Sequence, residues 1–159
     1  MARRGTVKVK IVDPDPIYGS RLVTKLINGS MRDGKKSVAR TQIYEAMDII
    51  KEKMGDDPLK VFNQALENIK PSMEVRARRI GGAAYQVPQP VRGPRRDSLA
   101  IRWLIAAANS KSNTEFHTYG GKLASEIMEA FKSEGAAVKK RTDMEKTAEA
   151  NRAFSHFKW

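Results

Sequence analysis

Apolar residues recur at the spacing of amphipathic helices in three stretches of the first half of the chain. Each stretch has its own start or stop signal. Ser20 is a good N-cap for the first helix, Gly55 closes the second, and Asp57–Pro58 opens the third. We expect Asn28–Gly29 to end the first helix and Pro71 to stop the third. The predicted apolar stripes are Leu22, Val23, Leu26 and Ile27, then Ala39, Ile43, Ala46, Met47, Ile50 and Met54, and then Phe62, Ala65, Leu66 and Ile69.

Three more helices are predicted in the second half. The fourth begins at Asp97 or Ser98 and is apolar almost all round, which predicts that it is the central, most buried helix. A fifth helix runs from about Tyr119 to Phe131, and Gly135 separates it from a more polar sixth helix that ends near Ala150. With the segment described next, the predicted fold is mainly α. It is a single domain, 1–159, of about six helices with a protruding two-stranded β-hairpin arm between helices three and four.

The segment 73–90 alternates like a strand rather than a helix. Gly81–Gly82 supplies two residues that tolerate positive φ, as a tight two-residue hairpin loop requires. With this loop, Arg78 lies opposite Tyr85 and Arg76 lies opposite Val87, while Arg79 is on the other face. We expect the return strand to end at the prolines that follow, Pro88 and Pro90, because proline cannot donate to the ladder.

The hairpin has too little apolar surface for a core element, and an isolated two-stranded hairpin is only marginally stable. We therefore expect an arm that leaves the body and binds a polyanion, with its arginines outside internal carboxylate pairs. Arginine forks match phosphate oxygens two at a time. Tyr85 could stack on a base or pack against its neighbours. The alternative interpretation is a solvated hairpin with positive faces.

The distribution of charge supports a polyanionic partner. The 159 residues carry 30 Lys and Arg against 18 Asp and Glu, a net charge of +12. Residues 1–10 contribute +4 and residues 70–102 contribute +6, so the rest of the chain is nearly neutral. A surplus serving solubility alone would be spread out, whereas this one resembles a binding footprint for nucleic acid or an anionic surface.

Both ends of the chain look like tails. Residues 1–16 combine basic and small residues with a proline-rich stretch, which predicts a basic, extended tail that orders on its partner. The C-terminal tail, 150–159, contains Phe154, Phe157 and Trp159, which we expect a partner or the body to cover. Lys35–Ser37 opens the second helix and places two cations beside helix-terminal N–H groups. This arrangement is suited to binding one backbone phosphate.

Enzyme chemistry is not indicated. The chain has no cysteine, and His117 and His156 have no ligand set around them, so we expect no metal and no cofactor. Neither a nucleophile-elbow nor a phosphate-loop motif occurs. No apolar run is long enough to span a membrane, and no apolar stretch follows the basic N-terminus as in a signal peptide. We expect a soluble intracellular protein without a small-molecule substrate.

Several motifs, in order along nearly the whole chain, resemble the bacterial-type ribosomal protein seven family of the small subunit. They are Met31–Ser37, the arm Val75–Val87 followed by Pro88, the basic segment Val91–Trp103, and the C-terminal motifs Ala137–Arg141 and Ala148–Phe154. The resemblance implies a structural constituent of the 30S subunit that binds the 3′ major domain of 16S rRNA and nucleates assembly of the head. It also implies that the arm lies near exit-site tRNA and mRNA, that the C-terminal end approaches ribosomal protein eleven, and that the protein acts in the cytoplasm within the ribosome.

The mechanism we expect is recognition by shape and charge. Two alternatives remain. One is a DNA-architectural protein, which usually carries an apolar wedge at the tip of each arm; here only Ile80 could serve as that wedge. The other is an interaction protein that docks on acidic partners. The candidate RNA-binding residues are Arg3, Arg4, Lys8, Lys10, Lys35, Lys36, Arg76, Arg78, Arg79, Tyr85, Arg92, Arg95, Arg96, Arg102, Lys139, Lys140 and Arg141.

Overall fold

The structure, a computed structural model, describes residues 11–157. Six α-helices, a two-stranded antiparallel hairpin and a short 3₁₀ helix follow one another along this range, so the predicted mainly helical class with an arm between helices three and four is confirmed. The elements are α1 (Arg21–Ser30), α2 (Lys36–Met54), α3 (Pro58–Ile69), β1 (Met73–Ile80), β2 (Ala83–Pro90), α4 (Pro94–Ser110), α5 (Tyr119–Phe131), α6 (Gly135–Ala150) and the 3₁₀ helix (Arg152–Phe157).

The predicted boundaries of α2 and α3 are confirmed by their caps. Gly55 adopts the left-handed conformation, φ 69°, that ends α2, and its N–H donates to Lys51 O. The Asp57 carboxylate accepts the Leu59 N–H at the start of α3, with Pro58 in the first helical position.

The prediction that Asn28–Gly29 ends α1 is wrong, because the helix continues through both residues to Ser30. Gly29 serves packing instead. A Cβ on Gly29 would lie 2.8 Å from Ile105 Cδ1, so glycine lets α4 approach α1 closely. The start of α4 also differs from the prediction, because the helix begins at Pro94, which takes the first helical position favoured by proline.

The core is built around α5 rather than α4. Helix α5 packs against α2, α3, α4 and α6, and it buries seven of its 13 residues, against seven of 17 in α4. The predicted central role of α4 is therefore wrong. The apolar composition of α4 includes Ala106, which remains at the surface, whereas α5 also buries the charged residues Lys122 and Glu126.

The N-terminal end of the described chain is anchored to the body at Asp15. This residue is 3% exposed, and its carboxylate accepts hydrogen bonds from the Tyr44 hydroxyl and from the N–H groups of Ile17 and Tyr18. Residues 1–10 of the predicted basic tail lie outside the described residues, as does Trp159.

The hairpin has the predicted register. Gly81 and Gly82 form the loop with positive φ, Arg78 pairs with Tyr85, and Arg76 pairs with Val87. The return strand passes through Pro88 and ends at Pro90, so the predicted stop is confirmed at the second proline and not at the first. Alternate residues of an edge strand direct their N–H groups away from the partner strand, so two prolines spaced two apart need not remove any ladder bond.

Candidate nucleic-acid interface

The base of the arm is held to the body, while its tip projects. Val87 is fully buried, and both strands pack against α6, whereas the loop residues Gly81 and Gly82 and the following Ala83 and Ala84 are exposed. The arm therefore has a fixed root and a solvent-facing tip of small residues.

A buried carboxylate joins the root of the arm to α4. Glu74 is 6% exposed, and its Oε1 accepts hydrogen bonds from Arg76 Nε at 2.8 Å and Arg95 Nε at 2.9 Å. Arg95 also binds Oε2 through Nε at 2.8 Å and Nη2 at 2.7 Å. Burial alone would raise the pKa of Glu74, but the bonds from Arg95 and Arg76 outweigh it and hold that pKa below its ordinary value.

The expectation that the arm and its flank keep their arginines out of internal ion pairs is wrong for these two residues. Arg76 and Arg95 share one carboxylate, which leaves this group of three a net charge of +1. Their side chains nevertheless remain 48% and 50% exposed. Each guanidinium has five N–H donors, so donors on both remain for an external anion.

The early start of α4 places three candidate arginines around its first turn. Arg92 and Arg95 are exposed, and Arg96 is partly covered and donates from Nε to Pro71 O at 3.3 Å. Asp97 in the same turn faces the body and pairs with Lys70 at 3.0 Å and Lys25 at 3.6 Å. Asp97 thus pairs with two lysines and not with the arginines of its own turn, and these arginines stay at least partly exposed.

The other cations of the arm and α4 lie on two faces. Arg79 is exposed on the face of β1 opposite Arg78, which is partly buried across from Tyr85. Arg102 is exposed on α4 seven residues after Arg95, a spacing that puts both on one face of the helix about 10 Å apart. Among the candidates of residues 76–102, the structure thus joins Arg76 and Arg95 through one carboxylate and places Arg92, Arg96 and Arg102 on or beside the helix that carries Arg95, whereas Arg79 lies on the other face of the arm.

The basic cluster of α6 divides into two roles. Lys139 and Lys140 are exposed, whereas Arg141 is partly buried, donates from Nη1 to Asn68 O in α3 and lies 3.8 Å from Glu145. Arg141 therefore ties α6 to α3. The two exposed lysines lie in the first half of α6, a helix that packs against both strands and against α4.

Lys35 and Lys36 form a separate basic group. Both are exposed at the start of α2, a helix that does not pack against either strand of the arm. Lys35 lines a groove with Arg32 and His117, and Lys122 lies at its floor. The buried Lys122 ammonium is already engaged with Lys111 O at 2.7 Å and with Asn113 Oδ1. Sequence reasoning missed this grouping, because the groove is assembled from two distant stretches, residues 30–42 and 109–122.

Tyr85 packs inside the protein surface rather than standing out from the arm. Its ring centroid lies 5.1 Å from Phe154 and 5.7 Å from Phe157, and His156 adjoins Phe157 at 4.0 Å. These four residues, hereafter the aromatic cluster, bind the C-terminal 3₁₀ helix to β2. Phe154 and Phe157, which we expected a partner or the body to cover, are partly covered by Tyr85 of the arm and by each other.

No second kind of site emerges in the described range. Residues 11–157 contain no group of three acidic or histidine side chains arranged to hold a metal ion. In the same residues, no helix has the length and apolar character needed to cross a membrane. What the surface can do chemically is to donate many charge-assisted hydrogen bonds to phosphate oxygens.

Comparison with known proteins places the chain in a family. The model of the family "Ribosomal protein S7p/S5e" matches residues 2–152. Curated relatives named "Small ribosomal subunit protein uS7" include those of Carboxydothermus hydrogenoformans and Thermus thermophilus, which are 55% and 52% identical over all 159 residues and over their own full length. The protein of Thermotoga neapolitana, with the same name, is 54% identical over 99% of both chains. The chain therefore belongs to the ribosomal protein S7p/S5e family.

Proposed function

We propose that this protein is a primary binder of 16S rRNA that nucleates assembly of the 30S head at the 3′ major domain. Membership of the family gives the general role: the chain is a structural, non-enzymatic component of the small ribosomal subunit and acts in the ribosome in the cytoplasm.

The observation that carries the proposal is the joining of the arm to α4. Arg76 of β1 and Arg95 of α4 share one buried carboxylate, so cations from two separate segments form one surface of fixed geometry. Arg92 and Arg102 of the neighbouring segment extend it with exposed side chains. A rigid surface of this kind suits phosphates from more than one RNA helix, since folded RNA is recognised largely by shape and backbone.

The tip of the arm favours RNA over bent DNA. Arms that bend DNA insert a large apolar side chain between base steps. Here Gly81–Ala84 are small and exposed, and Ile80 is partly covered, so the described tip offers no large wedge. The proposal places the projecting tip at the subunit interface near exit-site tRNA and mRNA, and the C-terminal end near ribosomal protein eleven.

A filter-binding comparison tests the function. The full chain is titrated against RNA of the 16S 3′ major domain, duplex DNA of equal length and an acidic protein, at one salt concentration. We expect tightest binding to the rRNA and a steep fall in affinity as salt rises. Equal binding to duplex DNA would support an architectural DNA protein, and preference for the acidic protein would support a protein-docking role. Either result refutes the proposal.

A further inference from the structure

Glu74 is an unusual residue for the root of a nucleic-acid-binding arm. It is 94% buried at a surface that should attract polyanions, and its carboxylate accepts hydrogen bonds from Arg76 and Arg95. A buried carboxylate is costly unless it is paired, and here two arginines of the proposed interface pair with it. The carboxylate therefore acts directly on residues that would contact RNA.

The shared oxygen determines how close the two guanidinium groups lie. Arg76 Nε and Arg95 Nε bond the same Oε1, at 2.8 and 2.9 Å, so the two nitrogens are at most 5.7 Å apart. Without an acid between them, two like charges at this distance repel and would separate into solvent. Glu74 thus keeps together two groups that come from different elements.

Each guanidinium keeps donors that the carboxylate does not use. Arg76 uses Nε for Glu74, which leaves both of its terminal nitrogens, and Arg95 uses Nε and Nη2. About half of each side chain is exposed. Two adjacent, half-exposed planar forks match the oxygens of a phosphodiester, which accept paired N–H bonds.

We propose that Glu74 is a positioning residue for RNA recognition: it holds Arg76 and Arg95 as a clamp for one backbone phosphate. The inference rests on the proposed function and adds to it a source of specificity. Flexible cations bind any polyanion, whereas a clamp fixed to the body selects a phosphate at one place on a folded RNA. The negative charge of Glu74 lowers the positive charge of this surface by one unit, but it fixes the positions of the two guanidinium groups.

The test compares Glu74→Gln with a charge-matched control, Glu52→Gln. Glu52 is exposed on α2 and remote from the arm, and both variants raise the net charge by one. Dissociation constants are measured for the 16S 3′ major-domain RNA and for heparin. For Glu74→Gln we expect about tenfold weaker binding to the rRNA with unchanged or tighter binding to heparin. Glu52→Gln is expected to leave both nearly unchanged.

Several outcomes would overturn the proposal. If Glu74→Gln tightens binding to both ligands, Glu74 merely reduces the positive charge. If it weakens both equally, or behaves as Glu52→Gln does, it does not position a specific contact. A wild-type chain that shows no preference for the rRNA refutes the proposed function instead, so the two failures are distinguishable.

A second variant covers the case in which Glu74→Gln does not fold, which circular dichroism and thermal unfolding would reveal. Arg95→Lys keeps the ion pair with Glu74 but removes the planar fork. We expect a similar loss of rRNA affinity with heparin binding unchanged. Where both variants fold, the double variant should bind rRNA no more weakly than either single one, because both disrupt one clamp. Additive losses, or an Arg95→Lys variant with wild-type rRNA affinity, would refute the inference.

Discussion

Replacing Arg76, Arg78 and Arg79 together with alanine should weaken rRNA binding and reduce its salt dependence. Each neutralised phosphate contributes about 0.9 to the slope of log K against log salt. If all three arginines contact phosphates, the slope should fall by about 2.7. Arg76 also pairs with Glu74 beside Arg95, and if Arg95 alone keeps the phosphate that the two share, the slope should fall by about 1.8.

The assay is filter binding to the 16S 3′ major-domain RNA between about 50 and 200 mM salt. Helical circular dichroism should be unchanged, because the replaced side chains lie on the arm and not in the helical core. The matched control replaces Lys51, Lys53 and Lys60, which are exposed and lie on helices that do not pack against either strand. This control removes the same charge and should lower the slope by less than about one unit. A slope that the arm substitutions leave unchanged, or lower no more than the control does, would refute the assignment.

The remaining predictions concern stability. Gly120→Ala should destabilise the fold by about 1–3 kcal/mol in urea unfolding, because the new Cβ would lie 2.9 Å from the backbone oxygen of Gln42; an unchanged midpoint would contradict this packing. Tyr85→Ala removes two aromatic contacts and should cost about 1–3 kcal/mol, with earlier proteolytic cleavage near the C-terminus as the second measurement; equal cleavage of variant and wild type argues against the aromatic cluster. Burial would raise the pKa of Glu74 and of Glu145, but the hydrogen bonds that each carboxylate accepts outweigh burial and lower its pKa. Each ionised carboxylate therefore stabilises the fold fully above the ordinary glutamate pKa of about 4.3. That stabilisation is lost as the pH falls through the lowered pKa values of the folded state. Unfolding at a series of pH values should show that loss, and a flat profile below pH of about 4 would count against it.

Short-range signals in the sequence were enough for much of the fold. Three predicted signals depend only on neighbouring residues, and the structure has each at the predicted position. They are the helix start at Asp57–Pro58, the helix end at Gly55 and the hairpin loop at Gly81–Gly82. The register of the arm followed from the loop alone, because a two-residue loop determines every pair that follows.

The errors came from tertiary packing. Gly29 carries the signature of a helix stop, but the neighbouring Ile105 uses the space that it leaves. The apolar composition of α4 suggested that this helix is at the centre of the fold, but α5 lies there. Helix α5 buries Lys122 and Glu126, and the hydrogen-bond partners of these two residues reach them only in the folded chain. Composition cannot reveal such partners.

The candidate site was predictable as a set of residues but not as an arrangement. Glu74 and Arg76 lie two apart in a strand and therefore share a face, so this half of the clamp could have been found from the sequence. Arg95 is 21 positions away from Glu74, and nothing local indicates that it reaches the same carboxylate. The packing of Tyr85 on the 3₁₀ helix is likewise a long-range contact.

The most direct test of the central claim is site-directed cleavage of bound RNA. The chain has no cysteine, so a hydroxyl-radical probe can be attached at one engineered position in the full-length protein. Ala83→Cys at the exposed tip of the arm should direct cleavage within the 16S 3′ major domain, whereas Lys53→Cys at the end of α2 should direct little. Strong cleavage from position 53 with none from position 83 would show that RNA binds the molecule on a different face.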